Sequence, residues 1–167
     1  MKHIKGTGAF AAQKGSKNKT FREEYILPYS LIGFYGIINE NAAKYTGLTE
    51  EDVKLLIEGM WEGTKNLISR SKFGQVPRLL IKVNYSERNF YIGELKEYIK
   101  LKSDLMDEKI RDISDFTLDI SALLDILRDN DDKIESIDYI IDDRVELTAN
   151  GEMVNLNEIN KFKAFNL

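Results

Sequence analysis

Cysteine is absent from the 167 residues, which excludes disulfide scaffolds, thiolate zinc sites and cysteine nucleophiles. Histidine occurs once, as His3, so catalytic triads and histidine-rich metal sites are excluded unless that single ring serves. No apolar run reaches the ~18 residues of a membrane span. No basic–apolar–small pattern marks a signal peptide. No repeat and no low-complexity linker interrupts the chain. These absences point to a cytoplasmic protein without membrane contact. What is present suits one compact domain: 43% hydrophobic, 31% charged and 10% aromatic side chains, enough to bury a core.

Acidic residues are scarce where basic ones gather. Residues 1–100 hold 16 basic and 11 acidic side chains, residues 101–167 hold 8 and 17, and a balance of +5 gives way to −9. The first 22 residues carry Lys2, Lys5, Lys14, Lys17, Lys19 and Arg22 and no acid. A second acid-free window, 63–86, carries Lys65, Arg70, Lys72, Arg78 and Lys82. Such a split fits a polyanion on one side and a different contact on the other. It equally fits faces that merely differ in charge.

Residues 1–24, with Gly6, Gly8 and Gly15 and no periodicity, read as loop or a mobile hairpin. The apolar run Leu27–Ile37 reads as a buried strand, with Pro28 at its start and Gly33 and Gly36 marking a bulge or a close approach. Thr49 is placed to cap a helix whose first turn holds Glu50, Glu51 and Asp52. Val53, Leu56, Ile57, Met60, Thr64, Leu67 and Ile68 form its inward stripe, and Gly59 and Gly63 suggest close packing on a neighbour. Arg78–Tyr85 reads as a strand, so strand, helix and strand resemble half of a split β-α-β α+β domain. Further on, Asn89–Gly93 predicts a strand. Asp115 predicts the cap of a second helix with Phe116, Ile120, Leu123, Leu124 and Leu127 inward. Ser136–Thr148 predicts a strand, and Asn150-Gly151 a tight turn.

Lys5-Gly6-Thr7-Gly8 and Gly15-Ser16-Lys17 lack the spacing of dinucleotide and phosphate loops and read as loop. Asp131-Asp132 and Asp142-Asp143 lack a ligand partner and read as solvated acids rather than a metal or acid–base pair. No catalytic residue, metal site or cofactor is expected. The basic–aromatic combination is the stronger signal. Single-stranded RNA needs cations along its backbone and flat side chains for unstacked bases. Lys14, Lys17, Lys19 and Arg22 lie in a glycine-containing segment, and Arg70, Lys72 and Arg78 flank the loop between helix and strand. Tyr29, Phe34 and Tyr35 are candidate stacking rings, with core packing the first reading for Phe34, and Trp61 reads as a packing residue of the helix.

Several of these residues also form a family pattern. Phe21 to Leu80 contains "PYSL" with aromatics, an "N-x-N-x-A" loop, "TGLTEEDV" opening a helix, and "SRSK" before "RLL"; "IRDISDFTLDI" follows downstream. This resembles the backbone subunit of type I CRISPR effector complexes (Cascade), in the subtype I-B branch of the repeat-associated mysterious protein superfamily. The resemblance implies a modified RNA-recognition-motif fold and a non-catalytic unit. Such units stack head to tail on guide RNA and kink it with a thumb hairpin. GTGAFAAQKGSKNKTFREEY looks like the segment around that thumb, and Arg70 and Lys72 match the basic turn facing the guide.

The upstream strand, "NPNGDP"-like loop and first helix of such subunits have no counterpart here, which implies an open sheet edge and hydrophobic face. The starting Met and the absence of tag-like sequence suggest a short reading frame. The expected architecture is therefore α+β: an incomplete ferredoxin-like (modified RNA-recognition-motif) β-α-β half with a C-terminal α/β extension. Residues 1–24 form a basic thumb-like segment, 25–101 a β-α-β core and 102–167 an acidic extension, within one domain. The expected partners are guide RNA and other subunits of a type I CRISPR effector, with head-to-tail or homo-oligomer contacts. Two roles compete: an RNA-binding, truncated backbone-like protein, or a mobile-element-encoded mimic acting as an anti-CRISPR inhibitor of subtype I-B assembly. An RNA-cleaving enzyme is the least supported reading.

Overall fold

The computed structural model describes residues 2–7, 21–26, 28–69 and 73–165. Two strands open it, β1 (Lys2–Thr7) and β2 (Phe21–Ile26), paired antiparallel from Lys2 opposite Ile26 to Thr7 opposite Phe21. They give the basic N-terminal segment a hairpin frame, as one of its two readings expected. Residues 8–20 lie outside the described residues.

Two mixed sheets and three α-helices make up the rest, an α+β architecture as expected. β3 (Leu79–Tyr85) pairs antiparallel with β6 (Ile134–Ile141), which pairs in parallel with β9 (Phe162–Ala164). The second sheet has the order β4 (Lys100–Lys102), β5 (Thr117–Asp119), β7 (Leu147–Ala149) and β8 (Glu152–Met153). Strand periodicity divides β3. Leu79, Ile81, Val83 and Tyr85 pack on the core, while Leu80, Lys82 and Asn84 alternate with them. The core is drawn from Ile92 onward and includes Phe116, Leu118, Ile120, Leu123, Ile137 and Phe162, with Ile120 wholly buried. The acid-rich later part of the chain is thus also where its apolar packing is densest.

α1 (Glu40–Thr46) occupies the stretch that the resemblance treats as a loop. Asn39 caps it by accepting the amides of Asn41 and Ala42 at 2.8 and 3.1 Å, and Gly47, with φ 73°, ends it. α2 (Glu50–Lys65) begins as expected. The Thr49 hydroxyl accepts the Asp52 amide at 3.2 Å, and the Asp52 carboxylate accepts the Thr49 amide at 2.8 Å, a complete capping box. Trp61 is buried, as read from the sequence, in a row with Val53 and Ile57.

Several elements differ from expectation. The segment 29–38 is irregular rather than a strand, and it is largely exposed, with Phe34 82% and Ile32 55% accessible. Three of its residues meet the body: Tyr29 meets Phe116 edge-on at 5.7 Å, Gly33 sits beside Lys96, and the Tyr35 hydroxyl donates to the Ile92 carbonyl at 3.1 Å. Its aliphatic and phenylalanine side chains, Leu31, Ile32, Phe34, Ile37 and Ile38, stay accessible. On α2, Leu56 and Met60 are about half exposed instead of inward, and the space over Gly59 and Gly63 is open.

Asn89–Gly93 is a turn, because Asn89 (φ 60°) and the following Glu94 (φ 46°) adopt left-handed backbone that a strand cannot continue. The second helix, α3, spans Ser121–Asp129 and not a stretch from Asp115. Residues 117–119 are claimed by β5, which is paired on both sides. Its inward residues are nevertheless those expected, with Leu124 only partly buried. The strand expected over Ser136–Thr148 is divided into β6 and β7 by a turn in which the Val145 amide donates to the Asp142 carbonyl at 2.9 Å. Asn150-Gly151 makes the two-residue turn of the β7–β8 hairpin, as expected.

Candidate nucleic-acid interface

The basic residues singled out from the sequence fall into three groups. Arg22 lies on β2, where the hairpin register sets it opposite Gly6. Lys14, Lys17 and Lys19, and likewise Arg70 and Lys72, lie outside the described residues. Arg78 is fully placed. Its guanidinium donates to the Asp142 carboxylate at 2.9 Å with both side chains largely buried, 17% and 24% accessible. The Asp142 amide donates back to the Arg78 carbonyl at 2.9 Å, so the pair closes the end of the β3–β6 ladder.

A polar knot surrounds that pair. The Asp142 carboxylate also accepts the Arg144 amide at 3.0 Å, and the Arg144 guanidinium pairs with Asp112. The amide and hydroxyl of Ser114, ahead of Arg144, hold the Asp112 carboxyl below the usual carboxylate range. Tyr29 stands at the edge of the knot. Burial pushes its hydroxyl up, and the nearby Arg78 charge opposes that shift. The start of the exposed segment is thereby fixed to the folded body beside two arginines and their carboxylates.

The second face of β3 and β6 carries a row of polar pairs. Lys82 reaches Asp138 at 3.4 Å, and the Asn84 amide donates to Ser136 at 2.9 Å and Asp138 at 2.8 Å. Lys163 on β9 stands in register beside Asp138. Of the acid pairs in the sequence, Asp142 is engaged by Arg78 and Asp131 by Lys161 at 2.8 Å.

The aromatic candidates divide. Tyr29 and Tyr35 are held by the contacts above. Phe34, whose first reading was core, presents its ring to solvent. Sequence reading missed Tyr45 and Phe73, 92% and 81% accessible. Phe73 directly follows the basic residues Arg70 and Lys72 in the sequence, which was the available signal. It also missed the extent of apolar exposure: Ile32, Phe34 and Ile38, with Leu56, Met60 and Leu67 of the helix region. The signal there was an apolar run on both faces of an extended segment, which needs cover on both. Chemically, the described residues offer exposed rings at Phe34, Tyr45 and Phe73 and an accessible apolar surface, and the basic residues Arg70 and Lys72 come just ahead of Phe73 in the sequence. Among the described residues, no helix is long and apolar enough to cross a membrane.

Two comparisons with known proteins bear on this arrangement. A family model described as CRISPR-associated protein Cas7 matches residues 1–121. A Haloferax volcanii protein described as CRISPR-associated protein Cas7 is 30% identical over 154 residues, covering 91% of this chain and 45% of that protein. The chain thus spans a little under half the length of the curated relative it matches.

Proposed function

The chain belongs to the CRISPR-associated Cas7 family, and on that footing we propose that it acts as a non-catalytic backbone-like protein of a type I CRISPR effector, in the subtype I-B branch. In this reading it binds guide RNA and neighbouring effector subunits, in the cytoplasm and without a cofactor. The fold is read as related to the ferredoxin-like type, with residues 1–24 as the thumb-like segment, 25–101 as the part that carries α2 and β3, and 102–167 as the acidic extension that supplies most of the buried core. The single observation that carries the reading is the family match, which runs over residues 1–121, from β1 through the basic residues Arg70 and Lys72 to β5.

Within it, Lys14, Lys17, Lys19 and Arg22 contact the RNA or the next subunit, and Arg70 and Lys72 face the guide. Arg78, held by Asp142, fixes the start of the strand that follows them. Six phosphate contacts require a log–log salt slope of about −4 for single-stranded RNA, at about −0.7 per contact. Filter binding of a guide-like RNA over a range of salt tests this. Changing Lys17, Lys19 and Arg22 to Glu should abolish binding. A flat salt response, or unchanged binding by that triple variant, would refute the RNA-contact assignment.

The exposed apolar surface favours a second role for the same family membership: a mobile-element-encoded mimic. Such a protein joins an effector through one competent face and blocks the next addition, because head-to-tail contacts continue only while both faces are present. Interference assays with excess chain separate the two roles. A mimic lowers immunity, and an ordinary unit leaves it unchanged.

A further inference from the structure

The β7–β8 hairpin turns through Asn150 and Gly151, with φ 53° and 84°. Both residues are exposed, and Asn150 is the one asparagine in the chain followed by glycine. Among the described residues, Asn150 is tied down through its backbone only: its amide donates to the Ser121 hydroxyl at 2.8 Å. That hydroxyl in turn donates to Asp119, at the start of α3. The Gly151 amide lies between the paired residues Ala149 and Glu152 and takes no part in the ladder.

We propose that Asn150 is a site of spontaneous deamidation, and that its conversion loosens the first turn of α3. The Gly151 nitrogen, deprotonated by solvent hydroxide, attacks Asn150 Cγ. A C–N bond forms, the Cγ–Nδ2 bond breaks, and ammonia leaves with a proton from water. Water then opens the resulting five-membered imide at either carbonyl, giving aspartate or isoaspartate. The net exchange is one ammonia for one water, and a neutral amide becomes a carboxylate. Glycine at 151 leaves the attacking nitrogen unshielded.

Left-handed backbone at both turn positions holds the reacting atoms in one conformation, so reaction waits on opening of the turn. β8 has two residues, both exposed, and such an edge opens at low cost. Isoaspartate adds one carbon to the backbone of a two-residue turn, which shifts the Asn150 amide away from Ser121. The new charge enters the part of the chain that already holds 17 acids against 8 bases.

The test incubates the full chain at mildly alkaline pH beside a synthetic peptide of residues 146–155, followed by peptide mapping and hydrogen exchange. A gain of about 1 Da confined to the Asn150 peptide, with isoaspartate present, is expected, more slowly than in the free peptide because the turn must open first. No conversion in the folded chain, or earlier conversion at another asparagine, overturns the site. The converted protein should exchange the Leu124 amide, which donates to Ile120 at 2.9 Å, faster than unconverted protein. Asn150→Asp, which adds the charge without the extra carbon, should not. Unchanged exchange after conversion, or an equal effect of Asn150→Asp, overturns the link to α3.

Discussion

Arg78 shows how a single cation can be read two ways. From the sequence it is one more positive charge flanking a basic loop. In the fold it joins the beginning of β3 to the end of β6 through Asp142. Removing either partner leaves a largely buried charge unpaired, at a cost of about 1–3 kcal/mol. Arg78→Ala and Asp142→Ala should each lower the urea midpoint, and the double variant should lose less than the two singles together. Strict additivity would mean the pair contributes no coupling. The sequence offered Arg78 and Asp142 as separate features because a contact across 64 positions has no local signature.

Acid stability is also decided residue by residue. Asp52 is held below the usual range by the Thr49 hydroxyl and amide, Asp119 by the Ser121 hydroxyl and amide, and Glu40 by the Asn89 amide. A carboxyl whose folded pKa is depressed adds stability above its unfolded value, here 3.8 for aspartate and 4.5 for glutamate. That contribution disappears as pH falls through the folded value. Melting temperature should therefore be insensitive to these groups from neutrality to about pH 5 and drop below about pH 4. Asp52→Asn should remove part of that drop. An identical acid profile for the variant would contradict the capping-box account.

At the scale of elements, α2 separates periodicity from packing. Its 3.6-residue repeat and its cap were legible, because both depend on neighbours in the chain. Which flank of a broad apolar arc faces inward depends on what lies opposite, and the helix buries Val53, Ile57 and Trp61 rather than Leu56 and Met60. Ile57→Ala should cost about 2–5 kcal/mol, while Leu56→Ser with Met60→Ser should stay within about 1 kcal/mol. Chemical unfolding followed by the fluorescence of Trp61, the sole tryptophan, measures both. Equal losses would place the buried stripe where the sequence alone put it. Segment 29–38 failed as a strand for a related reason. Its apolar residues on both faces predict burial on both, but the body meets it at Tyr29, Gly33 and Tyr35 and leaves Leu31, Ile32, Phe34, Ile37 and Ile38 accessible. α3 was placed too early because pairing of β5 on both sides outweighs the capping signal of Asp115. Asp115 instead accepts the amides of Arg111 and Asp112 in a short turn.

For the molecule as a whole, the division of charge and the division of packing run in the same order. The basic early part holds the paired strands β1 and β2 and the exposed apolar residues. The acidic later part holds most of the buried core. The α+β class was legible from the helix after Thr49 and the strand at Arg78–Tyr85, although the strand expected ahead of that helix does not form. The long-range pairing of β6 with β9 and of β5 with β7 was not, because parallel partners leave no turn signal between them. A buried core in one part of the chain and accessible apolar side chains in another are the form expected of a unit that enters a larger assembly. Co-expression of the chain with a complete subtype I-B system, followed by affinity purification through another effector subunit, tests that expectation most directly. The account predicts that the chain copurifies with the guide RNA-containing complex, and that charge reversal at Lys19 and Arg22 removes it. Full effector complexes that never contain the chain, even at high expression, would contradict it.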